Sequence, residues 1–296
     1  MLSVTQTHPA QPDLREKAFK ALNQLPAFNP TLNKLLATLA KEDVFFSEVA
    51  AVIEKDTVLA GNVLKLVNSA LYSRSGTINS VRNAVAILGL SKLRNLALSL
   101  SVSRMFKQMK TAKSWSQADF NLHSVATAIM ADTLAQRLPV SYPEGAFTAG
   151  LLHAVGKLLI AVALPDEFDR IVRTFHDRDQ GTIEDVEMEI IGCCHSELAA
   201  AALAQWKLPS DIQEAVAHQH LKPAEPLHKP GCRMHLSALL YETHKIVNQL
   251  DAMIPACACR GEAGVPERLQ RLGLEGETDK ILEEYKAEFD AMRSFF

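Results

Sequence analysis

Along nearly the whole chain, apolar residues recur at three- and four-residue spacings and almost nowhere alternate. That pattern predicts amphipathic helices sharing one interior. In the first half it predicts a short helix over 14–23, stopped by Leu25–Pro26. A second opens at Asn29–Pro30, with Leu32, Leu35, Leu36 and Leu39 on one face. Further helices are expected over 47–55, from Asp56 or Thr57 to about 71, over 81–88 behind a Ser80 cap, and from Ser91 to about 110. Gly89 stands where a left-handed helix stop would. The polar stretch 111–117 reads as a subdomain boundary. Beyond it the pattern predicts a helix from Ser116 or Asp119 to 137, then others over 144–163 and 166–178. One over 182–206 is opened by Thr182-x-x-Asp185, and others follow over 210–220, 234–250 and 278–296. The expected class is all-α. The expected organisation is a flexible tail over 1–13, an N-terminal helical subdomain over 14–113, a second helical subdomain over 114–250 and a helical extension over 251–296.

Composition narrows the picture. A chain of 296 residues buries roughly 75% of its unfolded surface and needs no disulfide framework to fold. Hydrophobic residues make up 48% and charged ones 22%, which excludes disorder over most of the length. No uninterrupted apolar run is longer than Leu158 to Leu164, which falls short of the roughly 20 residues of a membrane span. The opening residues lack the basic and apolar blocks of a signal peptide. A cytoplasmic protein with no membrane partner is therefore expected. The five cysteines (Cys193, Cys194, Cys232, Cys257 and Cys259) are odd in number and form no Cys-x-x-Cys, so buried free thiols are expected.

The net charge of −3 is unevenly spread. Between Asp56 and Asp119 there is no acidic residue and there are nine basic ones, which leaves 22 basic against 34 acidic residues elsewhere. Such a stretch either offers a positive surface to an anion or faces the acidic remainder of the same molecule. Lys92, Arg94, Arg104 and Lys107 are its candidate ligand- or partner-binding residues. Only Phe106 accompanies these cations, so a stacking platform for single-stranded nucleic acid is not expected.

His123, His153, His195, His218 and His220 fall on, or at the ends of, four predicted helices of the second half. His153 sits among Ala149, Gly150 and Gly156, a small-residue face that lets another helix approach closely. Its imidazole should therefore face a packed interior, where its nitrogens need partners. Several histidines on packed helices could share a metal.

At these residues the chain resembles the HDOD family, a branch of the HD superfamily, over roughly residues 22–223. The resemblance is carried by Asp56-Thr-Val-Leu leading to Asn68-Ser-Ala-Leu-Tyr72, by Ile78-Asn-Ser-Val81 followed by Ala84-Val-Ala-Ile-Leu-Gly89, and by Gly150-Leu-Leu-His-Ala-Val-Gly-Lys157. Glu187, Gly192-x-x-His195 and Trp206-x-Leu208-Pro209 extend it. It implies an all-helical fold in which an N-terminal helical subdomain packs on an HD-like one. In HD phosphohydrolases a histidine, a His-Asp pair and later acidic or histidine residues hold one or two metals, and the metal activates a water that attacks a phosphoester. Carried over, His123, His153, His195 and His220 become candidate metal ligands and Lys157 a candidate anion contact. Glu242 is a further candidate for the last acidic position.

The departures from the pattern matter. Ala154 stands where the His-Asp pair has its aspartate, Gln219 where many relatives have histidine, and Cys194 where aspartate is common. His218 and His220 lie about 200° apart around a helix, so only one can face a shared site. The expectation is a signalling or regulatory HDOD protein without catalytic residues, holding at most one transition-metal ion. It would bind a signalling partner in trans, or a small anionic ligand such as a nucleotide. The alternative is a metal-dependent phosphohydrolase with a histidine-rich one-metal site.

Overall fold

The computed structural model describes residues 12–37, 46–69, 77–224, 227, 231–250 and 263–296. Among these residues there are sixteen α-helices, a few single 3-10 turns and one isolated bridge, Val140 to Met234. The expected all-α class is what forms. The first tail residues, His8, His228, Cys257, Cys259 and the segment around Tyr72 lie outside the described residues.

The first half carries α1 (Pro12–Lys20), α2 (Pro30–Ala37), α3 (Phe46–Glu54), α4 (Thr57–Val67), α5 (Val81–Leu88) and α6 (Leu90–Phe106). Their starts are local chemistry. The Asn29 side chain accepts the Leu32 N–H at 2.7 Å, and Asp56 accepts that of Leu59 at 2.9 Å. Asn68 ends α4 and bonds both backbone groups of Ile78, just before α5. Gly89, at φ +76°, both stops α5 and serves as the N-cap of α6. Ser91 therefore lies inside α6, and the helix stops at Phe106 rather than near 110.

The second half carries α7 (Gln117–Ala135), α8 (Ala146–Leu152), α9 (Val155–Ala163), α10 (Pro165–Asp177), α11 (Ile183–Ile191), α12 (His195–Gln205), α13 (Ser210–Ala217) and α14 (Leu236–Val247). Then come α15 (Val265–Arg271), which the pattern did not predict, and α16 (Thr278–Arg293). Two helices expected to be continuous are broken. The 144–163 stretch divides at His153–Ala154, and the 182–206 stretch divides at Gly192–Cys194, where Gly192 takes φ +74°. Close tertiary approach flanks the first break. A Cβ on Gly150 would lie 2.7 Å from the Ala128 Cα in α7, and one on Gly156 would lie 1.8 Å from the His195 carbonyl oxygen in α12. The break lies between these two contacts, one made by each piece of the stretch.

The segment Pro143–Ala163 has the length and apolarity of a membrane span, and 89% of its most apolar 18 residues are buried inside the fold. An aromatic seam joins the two halves. Phe106 packs on Phe120 and on Trp206, Trp206 packs on Phe28, and the Trp206 indole N–H donates to the Pro26 carbonyl at 3.2 Å. Of the described cysteines Cys193 is buried and Cys194 partly so, but Cys232 is exposed, so the expectation of buried thiols fails there.

Candidate functional site: a buried histidine cluster

The two helix breaks face each other and place the chemistry. His153, at the α8–α9 break, donates from Nδ1 to the Gly150 carbonyl at 2.7 Å. A carbonyl only accepts, so the proton sits on Nδ1 and the Nε2 lone pair is bare. That Nε2 lies 3.0 Å from His123 Nε2, on α7. His195, at the α11–α12 break, repeats the arrangement. Glu187 accepts both its backbone N–H at 2.8 Å and its Nδ1–H at 2.7 Å. The bare Nε2 of His195 faces His220 Nε2 at 2.8 Å. Imidazoles whose far nitrogen is anchored to a carbonyl or carboxylate are in the tautomer that metal ligands use.

The ligand atoms converge as two groups of three rather than as one set of four. His123, His153 and His244 form one, and Glu184, His195 and His220 the other, with all atoms of a group within 4.8 Å of one another. The His220 and His244 rings, 5.3 Å apart between centroids, join the two groups. Glu184 Oε1 is 3.1 Å from His220 Nε2 and 3.8 Å from His195 Nε2. His220 faces the cluster while His218 is exposed outside it, as their spacing requires.

Burial sets the protonation. His153 and His244 are held well below the usual imidazole range, first by burial and then by neighbouring imidazoles. His220 falls to about 3, again first by burial. Burial alone would raise the Glu184 carboxyl, but His220, His195 and Lys157 outweigh it and hold it at about 2. Lys157 is almost wholly buried, and its charge is felt by His153, Glu184, His220 and His244. His153, His220 and His244 are thus held neutral, beside the Glu184 carboxylate and the Lys157 ammonium. His244 Nδ1 is buried and has no hydrogen-bond partner among the described residues, as has Gln219 Oε1. The unprotonated Nε2 atoms of His153 and His195, one in each triad, fit a transition ion of borderline softness better than calcium or magnesium, which take oxygen ligands.

Two residues of the cluster, Glu184 and His244, were not singled out from the sequence. Glu184 lies in the first turn of α11, three residues before Glu187, where it reads as an ordinary acidic helix start. The resemblance offers Glu242 for the last acidic position. Glu242 instead forms a buried ion pair with Arg268 at 2.8 Å, facing away from the cluster.

The basic residues of the first half do not converge here. Arg104 grips Asp56 through two contacts, at 3.2 and 2.6 Å, and Lys92 bonds Glu288 at 3.0 Å. Arg94 is half-buried near Asp132, Tyr142 and Glu144, and Lys107 is exposed. Much of the acid-free stretch therefore faces the acidic remainder of the chain.

Similarity to known proteins follows this geometry. One solved structure, a candidate phosphohydrolase from Shewanella amazonensis SB2B, is 24% identical with a TM-score of 0.70, covering 94% of this chain and 97% of that one. Another, a candidate signal-transduction protein from Marinobacter aquaeolei VT8, is 20% identical with a TM-score of 0.73, covering 95% of this chain and 65% of that one. An uncharacterized protein of Treponema pallidum (strain Nichols) is 26% identical over 208 residues, 69% of this chain. The chain spans about two fifths of that relative's length, 39%. The HDOD domain family matches residues 25–222, across both halves and through His123, His153, His195 and His220, and the chain belongs to that family.

Proposed function

We propose that this chain is a regulatory HDOD module whose histidine cluster holds transition metal for structure or sensing, not for phosphoester hydrolysis, and whose output passes to a partner in trans. The observation that carries the reading is Ala154. It is fully buried at the α8–α9 break, next to His153, and supplies no carboxylate to either triad. A metal bound here would act as a Lewis acid toward its fourth ligand. The residues themselves anchor the imidazole tautomers and exclude water, and only the Glu184–His220 edge is partly open. Among the described residues no carboxylate bridges the triads, so none of them ties two ions into the clamp that two-metal hydrolysis needs.

The test is metal content of protein purified without chelator or metal-affinity steps, with turnover of a generic phosphodiester in added manganese or iron. Bound metal with negligible turnover, and turnover appearing only in Ala154→Asp, supports the proposal. Strong turnover in the natural protein that is lost in His153→Ala overturns it. That result would favour the second reading, a phosphohydrolase, which draws on the buried Lys157 ammonium beside both triads.

A further inference from the structure

A separate cavity of about 530 Å3 opens between the end of α13 and the first turn of α14. None of its lining residues belongs to the two triads. Its floor is apolar, with Met234 and Ala238, and Leu221 stands on the rim at 64% exposure. Lys222 and Arg233 bring positive charge, His218 and His235 bring imidazoles, and Glu214 is the one carboxylate among the described lining residues. A cavity of this size with an apolar floor and a few convergent polar groups suits a small molecule.

We propose that this cavity binds a small organic anion, an apolar body carrying a phosphate or carboxylate, and that its occupancy is felt at the histidine cluster. Both walls lead there. His218 lines the cavity, and His220, two residues on, belongs to the Glu184–His195 group. Gln219 between them is buried and donates to the His153 carbonyl at 3.0 Å. The other wall is the start of α14, the helix that carries His244. A ligand gripped by Lys222 on one wall and Arg233 on the other draws these elements together and so acts on one histidine of each triad. The inference rests on the regulatory reading in that it supplies that reading's ligand.

The experiment uses the full chain kept metal-free by chelator, so a metal-held anion cannot mimic the result. Amide and imidazole NMR signals are followed while phenyl phosphate, benzoate, phenol or inorganic phosphate is added. Phenyl phosphate or benzoate should give saturable amide shifts centred on residues 214–224 and 232–238, accompanied by shifts of the His220 and His244 ring signals. Phenol and inorganic phosphate should bind roughly tenfold more weakly or worse. Lys222→Glu combined with Arg233→Glu, both at exposed positions, should abolish the response without changing the melting temperature. The site is overturned by no saturable response at millimolar probe, by equal binding of inorganic phosphate, or by unchanged binding in the double variant. The coupling is overturned by cavity shifts that leave His220 and His244 unmoved. None of these outcomes alters metal content or turnover, so failure here is distinct from failure of the regulatory reading.

Discussion

At the scale of single residues, the cluster depends on where two protons sit. Glu187 accepts two N–H groups of His195, and the Gly150 carbonyl accepts one from His153. Each contact fixes a tautomer and leaves a lone pair facing inward. Glu187→Ala would strand both His195 donors in a site where His195 is 1% exposed. We expect a loss of roughly 2–4 kcal/mol, because each buried unsatisfied group costs about 1–3 kcal/mol. Denaturant unfolding of chelated protein measures it. If metal is bound, its affinity should also fall, by about 10–100-fold. Lack of any effect would mean that His195 is not held by Glu187. Glu187 was visible in the sequence as part of the family pattern. Its hold on both donors of one histidine eight residues away was not, because that contact needs the turn at Gly192.

At the scale of elements, the determining feature is close helix approach. α9 meets α12 at Gly156, where a Cβ would overlap the His195 carbonyl, while Gly61 in α4 has open space beside it. Gly156→Ala should therefore push α9 off the His195 turn and destabilise the fold by about 1–3 kcal/mol or more. Gly61→Ala should stabilise it by about 0.4–1 kcal/mol through the unfolded chain. Paired denaturation midpoints decide between close approach and mere glycine flexibility, because the latter moves both variants in the same direction. The sequence showed the small-residue face around His153 but carried it as one long helix. Helical periodicity survives a break when both pieces bury apolar faces, so the pattern alone could not reveal the bend.

At the scale of the whole molecule, α16 clamps the other helices. It lies against α7, where Arg137 bonds Glu277 just before α16 at 3.1 Å and Glu284 within it at 2.5 Å. The Lys65 ammonium sits over the Phe295 ring at 5.0 Å, and Lys92 bonds Glu288. Beneath this clamp the Asp132 carboxyl is pushed up to about 6, first by burial and then by Glu288. Its folded pKa lies above the unfolded value of 3.8, so the folded state holds the proton more tightly. The resulting stability is full below about pH 3.8 and is lost as pH rises through about 6. Asp132→Asn, which mimics the protonated form, should be more stable than the natural chain at about pH 7.5, and the gap should narrow toward about pH 4.5. Melting temperatures at both values test this, and a gap that does not depend on pH refutes it.

Neighbouring residues alone determined most of the helices, because a cap or an amphipathic stripe involves groups within about four positions of one another. Asp56, Ser116 and Thr182, each among the caps that its sequence context offered, cap the helices that follow. The chain also marked His123, His153, His195 and His220 as imidazoles on packing faces. How they combine depended on helices far apart in sequence. His244 on α14 joins His123 on α7 and His153 at the α8–α9 break, and Glu184 on α11 joins His195 and His220. The fate of the basic stretch was likewise a tertiary matter. Charge along a chain does not state its partner, and Lys92 found Glu288 only because α16 folds back across α6 and α7. Local sequence fixes which face of a helix is apolar and which residues cap it. The crossing of helices, set by where small residues permit close approach, decides which polar groups meet inside.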